Sequence, residues 1–133
     1  MNTKIASLSL AAFAFMAAAQ VQAAPVRGSN CVDVKVSLTC KANVISGSGT
    51  ITNCSSRADT FLVTAKSIDP NGAVALNESL TVPLGGQKSF TLPVNETIWS
   101  GTTAGTYTTT ITATAEKGTA TKSYTFTLNL PCP

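Results

Sequence analysis

The chain has 133 residues, 9 basic and 6 acidic side chains, four cysteines and no histidine. That length accommodates one ordinary domain. The absence of His excludes a Ser-His-Asp or Cys-His machine and any His-ligated zinc site, and a net charge of +3 spread along the chain is no nucleic-acid footprint.

Met1–Lys4 carries one positive side chain, and Ile5–Ala19 is apolar except for two serines. Val21-Gln22-Ala23 then places small residues at the −3 and −1 positions of a cleavage site. This is the pattern of a secretory signal peptide over residues 1–23. The apolar run is shorter than the ~20 residues that span hydrocarbon, so no membrane insertion is expected after cleavage. The expected location is secreted or periplasmic. Residues 24–133 then hold all four cysteines, 20 threonines, 8 basic and 6 acidic side chains. Few charges and many threonines suit half-exposed pleated strands.

Ala24–Asn30 has no periodicity and reads as a flexible lead before a domain at 31–133. Val32, Val34, Val36 and Leu38 alternate with polar residues, as a strand with one buried face does. Ala42–Asn53 reads as a longer strand whose alternation changes phase at Val44-Ile45. Ile45, Gly47, Gly49 and Ile51 then share a face. Inward glycines mark a bulge or the approach of something large, and the single Trp99 is the natural occupant. Phe61, Val63 and Ala65 form the face of a strand over Thr60–Ile68. Asp69-Pro70-Asn71-Gly72 is the strongest turn signal. Val74 and Leu76 make a short strand, Leu80–Leu84 begins another, and Phe90–Val94 lies on the next. Pro83 and Pro93 mark these as edge strands or local irregularities. Asn95–Gly105 is the longest connection, and its Ile98-Trp99 pair predicts a buried Trp99. Tyr107, Thr109, Ile111, Ala113 and Ala115 share a face. So do Ala120, Tyr124, Phe126, Leu128 and Leu130, interrupted by Lys122.

Seven or eight short strands without a helix read as an all-β sandwich. Ala104-Gly105-Thr106-Tyr107 and the alternating run after it resemble the corner of a bacterial secreted immunoglobulin-like domain of fibronectin-III style. The resemblance implies that Tyr107 opens the sixth strand and bonds its hydroxyl back to the preceding corner. It also implies strands that alternate in direction. Of the three pairings that four cysteines allow, this topology selects Cys31 with Cys54 at one end and Cys40 with Cys132 at the other. Thr109, not Cys, stands two residues after Tyr107, so an antibody-type inter-sheet disulfide is impossible.

Catalysis is poorly supplied. The carboxylates are Asp33, Asp59, Asp69, Glu78, Glu96 and Glu116. Asp33 is expected to face outward on a strand, and the rest to be solvated or turn-forming groups in or beside loops. No G-x-S-x-G or phosphate-cradling glycine loop is present. Asp69 and Asn71 offer oxygen ligands for calcium, but a hairpin turn needs the same residues for its own backbone. No cofactor or metal is expected. Three Asn-x-Ser/Thr matches, at Asn53, Asn77 and Asn95, have meaning only in a eukaryotic secretory route.

Hydroxyls are the more informative feature. If Tyr107 and Ile111 point inward, then Thr108, Thr110, Thr112 and Thr114 point outward. Thr121, Ser123, Thr125 and Thr127 do likewise on the last strand, which tiles one face with eight hydroxyls. The expected function is a non-enzymatic exported binding or structural module, with a protein or glycan of the cell envelope or exterior as partner. The alternatives are an exported protease inhibitor acting through a loop such as Asn95–Gly105, and a small hydrolase.

Overall fold

The computed structural model describes residues 28–133. The expected signal peptide, its cleavage site and residues 24–27 of the lead lie outside the described residues. Seven strands follow in order: β1 (Val32–Lys41), β2 (Val44–Asn53), β3 (Asp59–Ile68), β4 (Val74–Leu84), β5 (Ser89–Thr97), β6 (Gly105–Ala115) and β7 (Thr121–Leu130). They form two antiparallel sheets, β1-β2-β5 and β4-β3-β6-β7. The molecule is an immunoglobulin-like β-sandwich.

β1 to β6 cover alternate residues, because successive side chains point to opposite faces, and β7 does so only from Phe126 onward, its first five residues being exposed. On β3 the inward set is Phe61, Val63, Ala65 and Ser67. Phe61, Val63 and Ala65 meet Val34, Ile51, Phe90 and Leu92 of the other sheet in the main core. A second cluster, built on Ile45, Tyr107 and Leu130, lies toward the opposite end. Pro83 and Pro93 fall on β4 and β5, the edge strands expected from their missing N–H groups. The segments around Val74–Leu76 and Leu80–Leu84 are one strand, not two. Its pairing with β3 shifts register once, at Ser67/Ile68, where Leu76 and then Val74 are the partners.

Both expected disulfides are present, with Cα atoms 5.1 Å apart for Cys31–Cys54 and 5.7 Å for Cys40–Cys132. Tyr107 is buried, and its hydroxyl donates to the Thr103 carbonyl at 2.7 Å, the corner bond implied by the resemblance. Burial, with the Asp69 charge nearby, raises the Tyr107 pKa above the usual phenol value despite that bond. Gly105 is required here: its φ is +138°, and a Cβ would strike Pro70 of the β3–β4 turn. That turn closes as expected. The Asp69 carboxylate accepts from the N–H groups of Asn71 (2.8 Å) and Ala73 (2.9 Å), so its oxygen serves the backbone.

Five further expectations are corrected by tertiary structure. Trp99 is 44% exposed, not buried. The Ile98 side chain alone turns inward, against the second cluster. Nor does Trp99 fill the space over the glycines. What approaches Gly47 is the β1 backbone, since a Cβ there would lie 2.0 Å from the Ser37 oxygen at a φ of +139°. The Ala42–Asn53 run begins with a two-residue turn, Ala42 and Asn43 both having positive φ, so β2 starts at Val44. Finally, Asp59 is buried rather than solvated, and the lead is already anchored at Ser29.

Gly47 and Gly49 share a face but have opposite requirements. A Cβ on Gly49 meets nothing nearer than 3.9 Å. Gly49→Ala is therefore expected to raise stability by roughly 0.5–1 kcal/mol, the usual penalty of Gly in a strand. Gly47→Ala, which must displace a paired strand, should cost more than that. Urea denaturation of the two variants checks the contrast, and equal behaviour would contradict it.

Candidate functional site

The antiparallel alternation places β1–β2, β3–β4 and β5–β6 connections and the C-terminus at one end. The opposite end carries Gly28–Cys31 and the β2–β3, β4–β5 and β6–β7 connections.

The second end is closed by buried polar groups. Asn53, fully buried, donates from Nδ2 to the carbonyls of Arg57, Leu84 and Gly85. Its Oδ1 accepts from the Ser29 hydroxyl and the Ser55 N–H. Asp59 accepts from four backbone N–H groups: Ser29 and Gly118 at 2.8 Å, Thr60 at 2.7 Å and Lys117 at 3.1 Å. Burial alone pushes the Asp59 pKa up, but these bonds together outweigh it and hold the carboxyl below its usual range. All its oxygens are committed to chain segments. Asp59 is a staple between Ser29, β3 and the β6–β7 turn. Sequence reading missed it because three of its four partners are 30 to 59 residues away.

At the first end, Asn43 joins three segments. Its N–H donates to the Cys132 carbonyl, its Oδ1 accepts from the Cys132 N–H, and its carbonyl accepts from the Ile98 N–H. The Ala42 N–H donates to the Pro133 carbonyl. The loop from Ile98 to Ala104 is thus fastened to the β1–β2 turn at its start. Thr102 N–H donates to the Trp99 carbonyl, and Tyr107 holds Thr103. The Trp99 ring lies over Gly101, where a Cβ would come within 2.4–2.7 Å of it. Gly101 is the seat of the indole, and Trp99 presents a large, half-exposed aromatic surface on a loop fastened at Ile98, Thr102 and Thr103.

The hydroxyl face has the expected geometry. Thr108 pairs with Thr127, Thr110 with Thr125, Thr112 with Ser123 and Thr114 with Thr121. Three of the pairs hydrogen-bond through their hydroxyls, at 3.0 Å for Thr110/Thr125, 2.9 Å for Thr112/Ser123 and 3.3 Å for Thr114/Thr121. The rows continue through Leu62, Thr64 and Lys66 of β3 to Thr81, Ser79 and Asn77 of β4. Lys66 is the one formal charge in these three rows. A second ladder, unforeseen from the sequence, covers the outer face of the other sheet: Thr50/Thr91 at 3.0 Å and Thr52/Ser89 at 2.8 Å. Its neighbours on β1 are Lys35 and Asp33, so that face is charged. Hydroxyl tiling is therefore a property of both wet faces, and only the low charge distinguishes the four-stranded one.

No protein-family model matches the chain, and no curated protein does. Among solved structures, it is similar to a CARDB domain from Pyrococcus furiosus in complex with di-metal ions. The TM-score is 0.54 at 18% identity, over 82% of this chain and 93% of that one. A β-glucosidase from Listeria innocua in complex with glucose gives a TM-score of 0.54 at 14% identity, over 74% of this chain. The match spans 16% of that enzyme's own length. At these identities the likeness is one of fold: an immunoglobulin-like β-sandwich.

Proposed function

We propose that the protein is an exported, non-enzymatic binding module that meets a protein or glycan of the cell envelope or exterior through the end bearing Trp99. The observation that carries this reading is an exposed indole on a loop tied at Ile98, Thr102 and Thr103. A partner gains aromatic contact without first ordering the loop, and Trp is prominent among residues that dominate binding energy. The Thr102 hydroxyl of the same loop is buried without a hydrogen-bond partner among the described residues. The two disulfides fit an oxidising compartment.

The low charge of the four-stranded face supports a second reading, in which that face is the docking surface. One experiment separates the two. An envelope partner is captured with the parent and its affinity measured for Trp99→Ala and for Thr110→Lys with Thr125→Lys. The proposal expects Trp99→Ala to weaken binding about thirtyfold, as loss of a 2 kcal/mol contact does. The double lysine variant should bind as the parent does. The reverse outcome moves recognition to the hydroxyl face. Emission of the single Trp should be solvent-like in the free protein and shift to shorter wavelength on binding.

A further inference from the structure

Four strands lie at sheet edges, and three of them carry devices that discourage pairing with another chain. β4 and β5 contain Pro83 and Pro93, and β1 carries Asp33, Lys35 and Lys41. β7 pairs with β6 without a register shift over 10 residues, has no Pro, and bears a single charge, Lys122, near its start. Among the described residues no strand pairs with its outer side. The Ala115 N–H donates to the Ala120 carbonyl, which fixes the bonded positions of this hairpin. Tyr124, Phe126 and Leu128 bond to β6, while Thr121, Ser123, Thr125, Thr127 and Asn129 turn their N–H and C=O groups to the free edge. On the inner face Tyr124 is 38% exposed, and Phe126 and Leu128 are half-buried. β1 faces β7 across the sandwich with half-buried Val36 and Leu38. A cavity of about 70 Å³ is lined by Val36 on one side of this seam and Phe126 on the other.

We propose that β7 is the interface of a homodimer, in which a second copy of this chain adds its own β7 antiparallel to the free edge about a two-fold axis at Thr125. A continuous sheet sets inner residues against inner ones, so the axis passes through a residue and not between two. At Thr125 it brings every outward-turned residue into a pair: Thr121 with Asn129, Ser123 with Thr127, and Thr125 with itself. On the inner face Tyr124 meets Phe126 of the second copy, twice, as aromatic cross-strand pairs. Lys122 meets Leu128, so no like charges are opposed. The hydroxyl rows that join β6 to β7 continue across the axis. These pairings argue for a second copy over another extended segment. The edge calls for hydroxyl and apolar residues in alternation with no cation facing Lys122, and β7 itself has that pattern. The same axis lays the β1–β7 side of one copy against that of the other, which covers Val36, Phe126 and the seam between them. A two-fold contact uses one surface on both copies and closes at two. Antiparallel pairing points the two Trp99-bearing ends in opposite directions.

The test is sedimentation of the full chain, as the cell processes it, from micromolar to millimolar concentration, with amide exchange followed in parallel. The expected result is a monomer–dimer equilibrium. The amides of Ser123, Thr125 and Thr127 should gain protection as the dimer forms, while those of Tyr124 and Phe126 are protected throughout by β6. Thr125→Pro removes a donor that β6 does not use and should weaken association at least tenfold. If Thr125→Pro does not fold, Tyr124→Lys, at an exposed position, should weaken it likewise by placing a charge in the contact. A chain that stays monomeric throughout overturns the proposal, as does a dimer in which Ser123, Thr125 and Thr127 remain unprotected. Protection of these amides in the monomer assigns the edge to a segment of the same chain and overturns it equally. Unchanged association in both variants does so too.

Discussion

Replacing Cys40 and Cys132 together by serine is expected to lower stability by roughly 4–5 kcal/mol. The bond joins residues 92 positions apart, and a cross-link that closes so long a loop removes much of the unfolded chain's freedom. The loss should be uneven. β7 is an edge strand that pairs only with β6, and the inner face of its middle, at Tyr124 and Phe126, is incompletely covered. The Asn43 and Ala42 bonds to Cys132 and Pro133 remain as its upper anchorage. Amide exchange should therefore rise first in Thr121–Leu130, while Phe61 and Val63 of β3 stay protected until global unfolding. Exchange that rises evenly over all strands would show that the bond does not act locally.

Asp59→Asn is expected to cost about 3 kcal/mol. The amide replaces one carboxylate oxygen by an NH₂ that faces backbone donors, and leaves buried N–H groups without acceptors. The pH dependence gives a separate check. The folded-state pKa of Asp59 is lowered, so its contribution is fully present above the ordinary carboxylate range. It is lost as pH falls through that range toward the folded value. The parent should therefore lose stability relative to Asp59→Asn on acidification from about pH 5 downward. Parallel urea midpoints for the two proteins from neutral to acid pH would refute the staple. In the variant, Ser29 and the β6–β7 turn should also lose amide protection, because both donate to the carboxylate.

Much of this architecture was legible along the chain. Alternation marked the inward set of β3 and β6 and the C-terminal half of β7, where Tyr124 of the same face is exposed, and the Asp69–Gly72 turn was named by residues whose side chains and φ preferences act locally. The edge positions of β4 and β5 followed from Pro83 and Pro93, which lack a donor. The disulfide pairing followed once strand direction was assumed, since direction decides which ends meet. The outward hydroxyls of β6 and β7 followed from period 2 alone, and adjacency of the two strands then set them opposite one another.

Contacts between segments distant in the chain decided the rest. Ile98 and Trp99 are equally apolar, yet one packs inward and the other stands exposed, because Asn43 and Gly101 set the path of the loop. Asp59 reads as a loop carboxylate until Ser29, Lys117 and Gly118 converge on it. The glycine pair of β2 looks uniform in sequence, but the β1 backbone fills the space at Gly47 and leaves it open at Gly49. The sequence by itself determined fold class, edge strands and faces, since these depend on period, φ and missing donors within a few residues. Tertiary structure alone decided which polar groups are buried, which aromatic is offered to a partner and where the core stays empty, since those depend on what the opposite sheet and the end loops bring into contact.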